Sequence, residues 1–175
     1  MREIKTPISD EVIAGLNSGD MVNITGKIYT ARDAAHKEIS VLIEAGKKLP
    51  FDFEGQVVFY AGPAPAKPGK PIGSVGPTTA GRMDLYAPML ISKGLKIMIG
   101  KGLRSKEVVD AIVNFRGIYF AAIGGVAALM AKRVISARVI AFEELGTEAV
   151  MELEVDKLPV IVAIDSRGEN IYERE

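Results

Sequence analysis

Three cations in this 175-residue chain stand where strands are expected to hand over to helices. They are Arg32 in Thr30-Ala31-Arg32, Arg82 in Gly76-Pro77-Thr78-Thr79-Ala80-Gly81-Arg82, and Lys101 in Gly100-Lys101-Gly102. A fourth junction, Gly124-Gly125, is a bare tight turn. A helix start already carries partial positive charge, so a cation there is unfavourable by roughly 0.3–1 kcal/mol and Asp or Glu is preferred. The arrangement is favourable when an anion lies between the cation and the free helix N–H groups, because amides, dipole and side chain then act on one negative charge. Arg32, Arg82 and Lys101 are therefore expected to converge on an anionic ligand. Gly100 and Gly102 beside Lys101 would let backbone and ligand approach closely. A single Arg or Lys near a helix start is commonly solvated or paired with a carboxylate. Three at equivalent junctions weigh against that.

Thr78 and Thr79 have two available roles. They can cap the helix that follows, or hold a substrate hydroxyl and move its proton. An unassisted threonine hydroxyl is a poor base, so the second role needs neighbouring cations to stabilise the alkoxide-like form. His36, the single histidine, lies one helical turn after Arg32. It is expected on a face distinct from the Ala35, Ile39 and Leu42 stripe, either as a structural or surface residue or as one that orients Arg32 or contacts the ligand. No G-x-x-x-x-G-K-[ST] run and no G-x-G-x-x-G after a strand is present, so a nucleotide reading has no specific support.

The remaining composition narrows the class. The length fits one domain over residues 1–175. Lys plus Arg and Asp plus Glu each number 22, which removes the basic excess that nucleic acid or an anionic membrane would attract. With no cysteine, the chain offers no disulfide, no thiolate nucleophile, no zinc-thiolate site and no iron–sulfur ligands of its own. No run reaches about 18 apolar residues and no leader pattern is present, so a cytoplasmic location is expected.

Periodicity supplies the elements that must position these residues. Met21 to Tyr29 alternates as a half-buried strand. A helix from about Thr30 carries Ala35, Ile39, Leu42 and Ile43 and closes at Gly46 and Pro50. Gln56 to Ala61 is a short strand, and residues 62–77 are a long Pro/Gly-rich loop. One helix is predicted from Thr78 to Gly94, with Met83, Tyr86, Ala87, Leu90 and Ile91 on one face. Leu95 to Ile99 is a buried strand. Ser105 caps a helix facing Val108, Val109, Ile112 and Val113 inward. Ile118 to Ile123 is a strand, followed by a short helix over Val126 to Arg133. Four further strands are expected over residues 134–142, 149–155, 160–165 and 169–172. The class is α/β with a mixed sheet and a strand-rich C-terminal third. Ligands in such folds lie beyond the carboxyl ends of parallel strands.

The run Thr30-Ala31-Arg32-Asp33-Ala34-Ala35-His36-Lys37, then Gly76-Pro77-Thr78-Thr79-Ala80-Gly81-Arg82-Met83-Asp84, then Ile99-Gly100-Lys101-Gly102 with Arg104-Ser105, then Gly124-Gly125, resembles the C-terminal domain of class I fumarate hydratases. The same family holds beta subunits of two-subunit fumarases and L-tartrate dehydratases. The likeness runs in order over about residues 10–175. It implies a swivelling β/β/α domain and an enzyme of the tricarboxylic acid cycle that hydrates fumarate to (S)-malate. It implies a [4Fe-4S] cluster whose open iron binds the substrate and whose three cysteines lie on an alpha subunit or N-terminal domain, here expected on a partner alpha subunit. Carried over by position, the catalytic threonine is Thr78, the substrate-binding arginines are Arg32 and Arg82, and the substrate-binding lysine is Lys101. His36, Thr79, Gly100 and Gly102 stand as possible supporting residues, and no metal ligand falls on this chain. Leu103 and Val126 depart from the family pattern, which leaves the substrate open. The expected partners are a C4 dicarboxylate and the alpha subunit in a hetero-oligomer, with no nucleic acid and no membrane. The alternatives are an L-tartrate dehydratase beta subunit, or a stand-alone carboxylate- or phosphate-binding module without catalysis.

Overall fold

The computed structural model describes residues 1–123 and 127–175. The chain runs β1 (Arg2–Lys5), α1 (Asp10–Ala14), β2 (Met21–Thr30), α2 (Asp33–Glu44), β3 (Val57–Phe59), α3 (Ala87–Ser92), β4 (Ile97–Gly100), α4 (Lys106–Phe115), β5 (Ile118–Ala122), α5 (Ala127–Ala131), β6 (Val134–Ala141) and β7 (Val150–Ile164). Short 3-10 turns cover Ala80–Met83, Glu143–Glu148 and Ile171–Glu173.

Among the described residues the strands form one mixed sheet in the order β1-β2-β3-β4-β5-β7-β6. Strands β1 to β5 pair in parallel, and β7 pairs antiparallel with β5 and β6. The long β7 also runs antiparallel to β2, which closes β2, β3, β4, β5 and β7 into a ring. Strand alternation then gives each strand an inner and an outer face. Ile24, Ile28, Val57, Phe59, Ile97, Ile99, Ile118 and Phe120 fill the inner core. Val58, Tyr60, Met98, Tyr119 and Ala163 point the other way, onto Ala35 and Ile39 of α2, Leu90 and Ile91 of α3, and Val108 and Ile112 of α4. Near-continuous burial along β3, β4 and β5 follows from being covered on both sides. Full burial of an Ile, Val or Phe side chain contributes about 1.5–3 kcal/mol, so these three strands form a rigid base for the loops at their carboxyl ends.

The α/β class and the mixed sheet stand as expected, and Ser105 caps α4 by accepting the Val108 N–H at 3.3 Å. Several elements differ. The helix expected from Thr78 to Gly94 divides into the Ala80–Met83 turn and α3. Pro88 near the start of α3 has no N–H, which suits a helix's first turn and prevents one helix from running through. Of the expected apolar face, Met83, Ala87, Leu90 and Ile91 are buried and Tyr86 is half-buried. In α4, Val113 is exposed and Ala111 is buried instead.

The strands expected at 149–155 and 160–165 are one strand, β7. Its register with β2 shifts between Ile24 and Gly26, and Lys157 adopts positive φ within that bulge. Thr25 Oγ1 accepts the Lys157 N–H at 3.0 Å, so the bulge leaves that donor satisfied. The strand expected at 169–172 is a single bridge between Ile164 and Asn170 followed by a 3-10 turn. The Gly124-Gly125 turn lies outside the described residues. No helix among the described residues is long and apolar enough to cross a membrane.

Candidate active site

Strands β2, β3 and β4 run parallel, so their carboxyl ends lie side by side. Arg32 follows β2, Tyr60 follows β3 and Lys101 follows β4. The Thr78 N–H donates to the Tyr60 carbonyl at 2.6 Å, and the Lys101 N–H donates to the Thr78 carbonyl at 3.3 Å. The Ala80 N–H in turn donates to the Lys101 carbonyl at 2.8 Å, so residues 78–80 lie along Lys101 as a short parallel bridge. Arg82, two residues on, meets Asp33 at the start of α2. Arg32, Thr78, Arg82 and Lys101 therefore occupy one neighbourhood, linked through backbone pairs and one ion pair.

The route to that neighbourhood differs from the helix-dipole argument. Only Arg32 sits at the start of an α-helix, as its N-cap residue. Arg82 lies inside a four-residue 3-10 turn, and Lys101 lies in a turn five residues before α4 begins. The amides of α2 are also partly taken, since Glu148 Oε1 accepts the Ala34 N–H at 3.3 Å. What gathers Lys101 is strand pairing rather than a dipole. Thr79 occupies the N-cap position of the 3-10 turn but makes no side-chain cap hydrogen bond, and Thr78 lies one residue before it.

The two arginines share a carboxylate. Arg82 Nε donates to Asp33 Oδ1 at 3.2 Å, and Arg82 Nη2 lies 2.9 Å from Asp33 Oδ2. Arg32 Nε lies 4.0 Å from the same Oδ2 and finds no hydrogen-bond acceptor among the described residues. The Arg32 side chain crosses directly over Gly62, where a Cβ would fall 2.8 Å from its Cδ. Gly100 is small for a comparable reason, because a Cβ there would meet the Tyr60 ring at 2.8 Å and the Ala80 Cβ at 3.1 Å. Gly102 supplies positive φ to the turn after Lys101.

His36 is buried, contrary to its expected separation from the apolar stripe; Ala35, His36, Ile39 and Ser40 form the buried face of α2. Its Nδ1 lies 2.8 Å from the Arg32 carbonyl, which can only accept, so Nδ1 carries the proton. Burial pushes its pKa down to about 4, which keeps the imidazole neutral. Its ring stands edge-on to Tyr60, with centroids 5.2 Å apart.

Sequence reasoning missed the support beneath these residues. The buried Arg104 guanidinium donates from Nε to Asp84 Oδ1 at 2.8 Å and from Nη2 to the Tyr60 hydroxyl at 3.1 Å. It lies 4.7 Å from the Tyr119 ring centroid, and the Tyr119 hydroxyl donates to the Gly102 carbonyl at 2.9 Å. Burial penalises the Arg104 charge, but Tyr60 and Asp84 outweigh it and raise its pKa. Burial raises both Tyr60 and Tyr119. The signal was present in Asp84 and in Arg104-Ser105, but only tertiary contact joins them. Among the described residues no three His, Asp or Glu side chains gather as a metal centre. With cysteine absent as well, this donor set suits anionic oxygen and a proton, not a cluster.

The family model described as fumarase C-terminus matches residues 2–175. The chain is 39% identical over 176 residues to the anaerobic class I fumarate hydratase of Escherichia coli, covering 99% of this chain and 31% of that protein. It is 41% identical over 155 residues to the mitochondrial fumarate hydratase 1 of Leishmania major, covering 87% of this chain and 28% of that protein. It is 42% identical over 164 residues to a Methanocaldococcus jannaschii chain provisionally named L(+)-tartrate dehydratase subunit beta, covering 90% of this chain and 84% of that one. The chain thus spans about a third of the length of the fumarate hydratases, and the names of these relatives are those of hydro-lyases. A match along nearly the whole chain, through the residues that build this neighbourhood, places it in the fumarase C-terminus family.

Proposed function

We propose that this chain is the beta subunit of a hydro-lyase that interconverts fumarate and (S)-malate. It would supply carboxylate-binding and proton-transfer groups to a [4Fe-4S] cluster held by a separate alpha subunit. The observation that carries this is the gathering of Arg32, Arg82, Lys101 and Thr78 around the carboxyl ends of three parallel strands. The cluster has no place on this chain, which lacks cysteine. On this reading its ligands belong to the partner, in a cytoplasmic hetero-oligomer.

The roles of this chain's own residues follow from their chemistry. A C4 dicarboxylate carries two negative charges, and planar guanidinium groups match carboxylates edge to edge, so Arg82 and Arg32 bind its ends. Lys101 adds a compact charge beside Thr78. Dehydration of malate removes a proton from one carbon and the hydroxyl from its neighbour as the C=C bond forms, and the partner-held cluster, when bound, would act as the Lewis acid that takes the hydroxyl. The Thr78 oxygen accepts that proton, with the neighbouring cations lowering the cost of its basic form. In hydration the same oxygen returns the proton to carbon. His36, its imidazole neutral, holds the Arg32 backbone through its Nδ1–H.

L-Tartrate dehydration is the second reading, favoured by the 42% identity that extends over 84% of the tartrate-type subunit. Mixing this chain anaerobically with its cluster-loaded partner and following fumarate absorbance tests the first. Hydration of fumarate is expected, and its absence overturns the fumarase reading. Steady-state comparison of malate with tartrate separates the two. Turnover of neither, with ligand binding by the isolated chain, would favour a binding module without catalysis.

A further inference from the structure

We infer that Asp33 is a positioning residue, which holds Arg82 in the orientation that receives a carboxylate. The inference rests on the proposed anion-binding role of this neighbourhood and goes beyond it by naming the group that preorganises it. Asp33 opens α2, and an acid there is ordinarily explained by the helix dipole alone. Its carboxylate does something else: it reaches across to a 3-10 turn 49 residues away in sequence. The contact engages one side of the guanidinium: Nε donates to Oδ1 at 3.2 Å, and Nη2 lies 2.9 Å from Oδ2 as an ion-pair contact without hydrogen-bond geometry. The Nη1–Nη2 edge meets no other acceptor among the described residues, and such an edge can take a second carboxylate in a bidentate pair.

Without that anchor Arg82 is a long side chain at the surface, with 51% of its side chain exposed even when paired. A side chain of this kind loses much rotamer freedom when a ligand fixes it. Asp33 removes part of that loss beforehand, so the ligand meets a guanidinium already in place. The same Oδ2 lies 4.0 Å from Arg32 Nε, a buried donor with no hydrogen-bond acceptor among the described residues, so both arginines face one carboxylate. The opposite possibility is that Asp33 competes with the ligand for Arg82. The two predict opposite signs on removal of the carboxylate.

The experiment follows the arginine Nε–H resonances of the full chain by nitrogen-15 NMR during titration with succinate. In the wild type the Arg82 signal is expected to be sharp and to move on succinate addition. Asp33→Ala is expected to broaden it and to weaken succinate binding about tenfold. Asp33→Asn, which keeps an oxygen acceptor, is expected to fall between. Because the pair is half-exposed, the thermal midpoint should shift by no more than about 3 °C in either variant, which separates positioning from folding. Succinate affinity that is unchanged or tighter in Asp33→Ala overturns the inference, as does a wild-type chain whose Arg82 signal never responds. Turnover of the assembled complex judges the hydro-lyase reading separately. Asp33-dependent succinate binding in a chain whose complex turns over no dicarboxylate would fail that reading and sustain this inference.

Discussion

Arg104 and Asp84 form a buried ion pair at 2.8 Å that ties the turn carrying Arg82 to the turn carrying Lys101. Asp84 lies two residues after Arg82 and Arg104 three after Lys101, so the spacing of the two cations depends on this pair. Asp84 also accepts the Ser105 N–H at 2.6 Å, which fixes the start of α4 on the same carboxylate. Burying a charge is costly unless it is paired and hydrogen-bonded. Here the Arg104 side chain is 0% exposed and that of Asp84 12%. Arg104→Met should therefore cost about 3–5 kcal/mol by leaving Asp84 unpaired, measured by urea unfolding. Adding Asp84→Leu should recover part of the loss, though not all, because the Ser105 N–H then loses its acceptor. A single variant within about 1 kcal/mol of wild type would show that the pair contributes nothing.

Gly62 offers a separate handle on Arg32. A Cβ at this position falls 2.8 Å from both Cδ and Nη1 of Arg32 and 3.1 Å from the Thr147 carbonyl oxygen. Gly62→Ala should push the guanidinium from its place and weaken succinate binding about tenfold, in line with the cost of a misplaced binding group. Gly69→Ala is the control in the same loop. Its φ of +76° makes the substitution mildly strained, but an added Cβ meets nothing within 4 Å, so succinate affinity should hold. Equal affinities for Gly62→Ala and wild type would mean that Arg32 does not contact the anion.

The sequence made legible whatever was encoded within a few residues. Ser105 capped α4 as its type foretold, and Gly46 and Gly94 ended their segments with positive φ. Longer contacts were hidden. Nothing near Lys157 announces that Thr25, 132 residues away, will satisfy a bulge and keep β7 whole. The candidate site divides in the same way. Arg32, Thr78, Arg82 and Lys101 drew notice by type and spacing and do lie together. Asp33, Tyr60 and Arg104, which hold them in place, act through partners 49, 18 and 20 residues off in sequence and leave no local pattern.

His36 should make stability depend on pH in a defined window. Burial lowers its folded pKa to about 4 from 6.5, with Arg104 nearby lowering it further, against the Arg32 carbonyl and Asp33, which raise it. The unfolded chain therefore binds the proton more readily than the folded one between these values. Stability from this residue is fully present above about pH 6.5 and is lost as pH falls towards 4, by about 3 kcal/mol in all. Subtracting the unfolding free energy of His36→Gln from that of wild type at each pH isolates the term from the carboxylates that titrate in the same range. A flat difference from pH 7 to pH 4 would mean that the imidazole titrates in the fold as it does in the unfolded chain, so that burial does not lower its pKa.

Thr78 is the residue on which turnover should depend. Its backbone is held by the Tyr60 carbonyl and by the Lys101 N–H, neither of which needs the side chain. Thr78→Ala should therefore keep the fold and the cation geometry while removing the hydroxyl. In the assembled complex kcat should fall by about a hundredfold or more with KM little changed, because proton transfer is lost and carboxylate binding is not. Thr78→Ser should retain most of the rate. Arg82→Ala and Lys101→Ala should show the reverse balance, raising KM more than they lower kcat. The split between the two parameters is the deciding measurement. If Thr78→Ala kept wild-type kcat, the hydroxyl would have no part in moving the proton, and Thr78 would serve only through the backbone bridge that places Lys101.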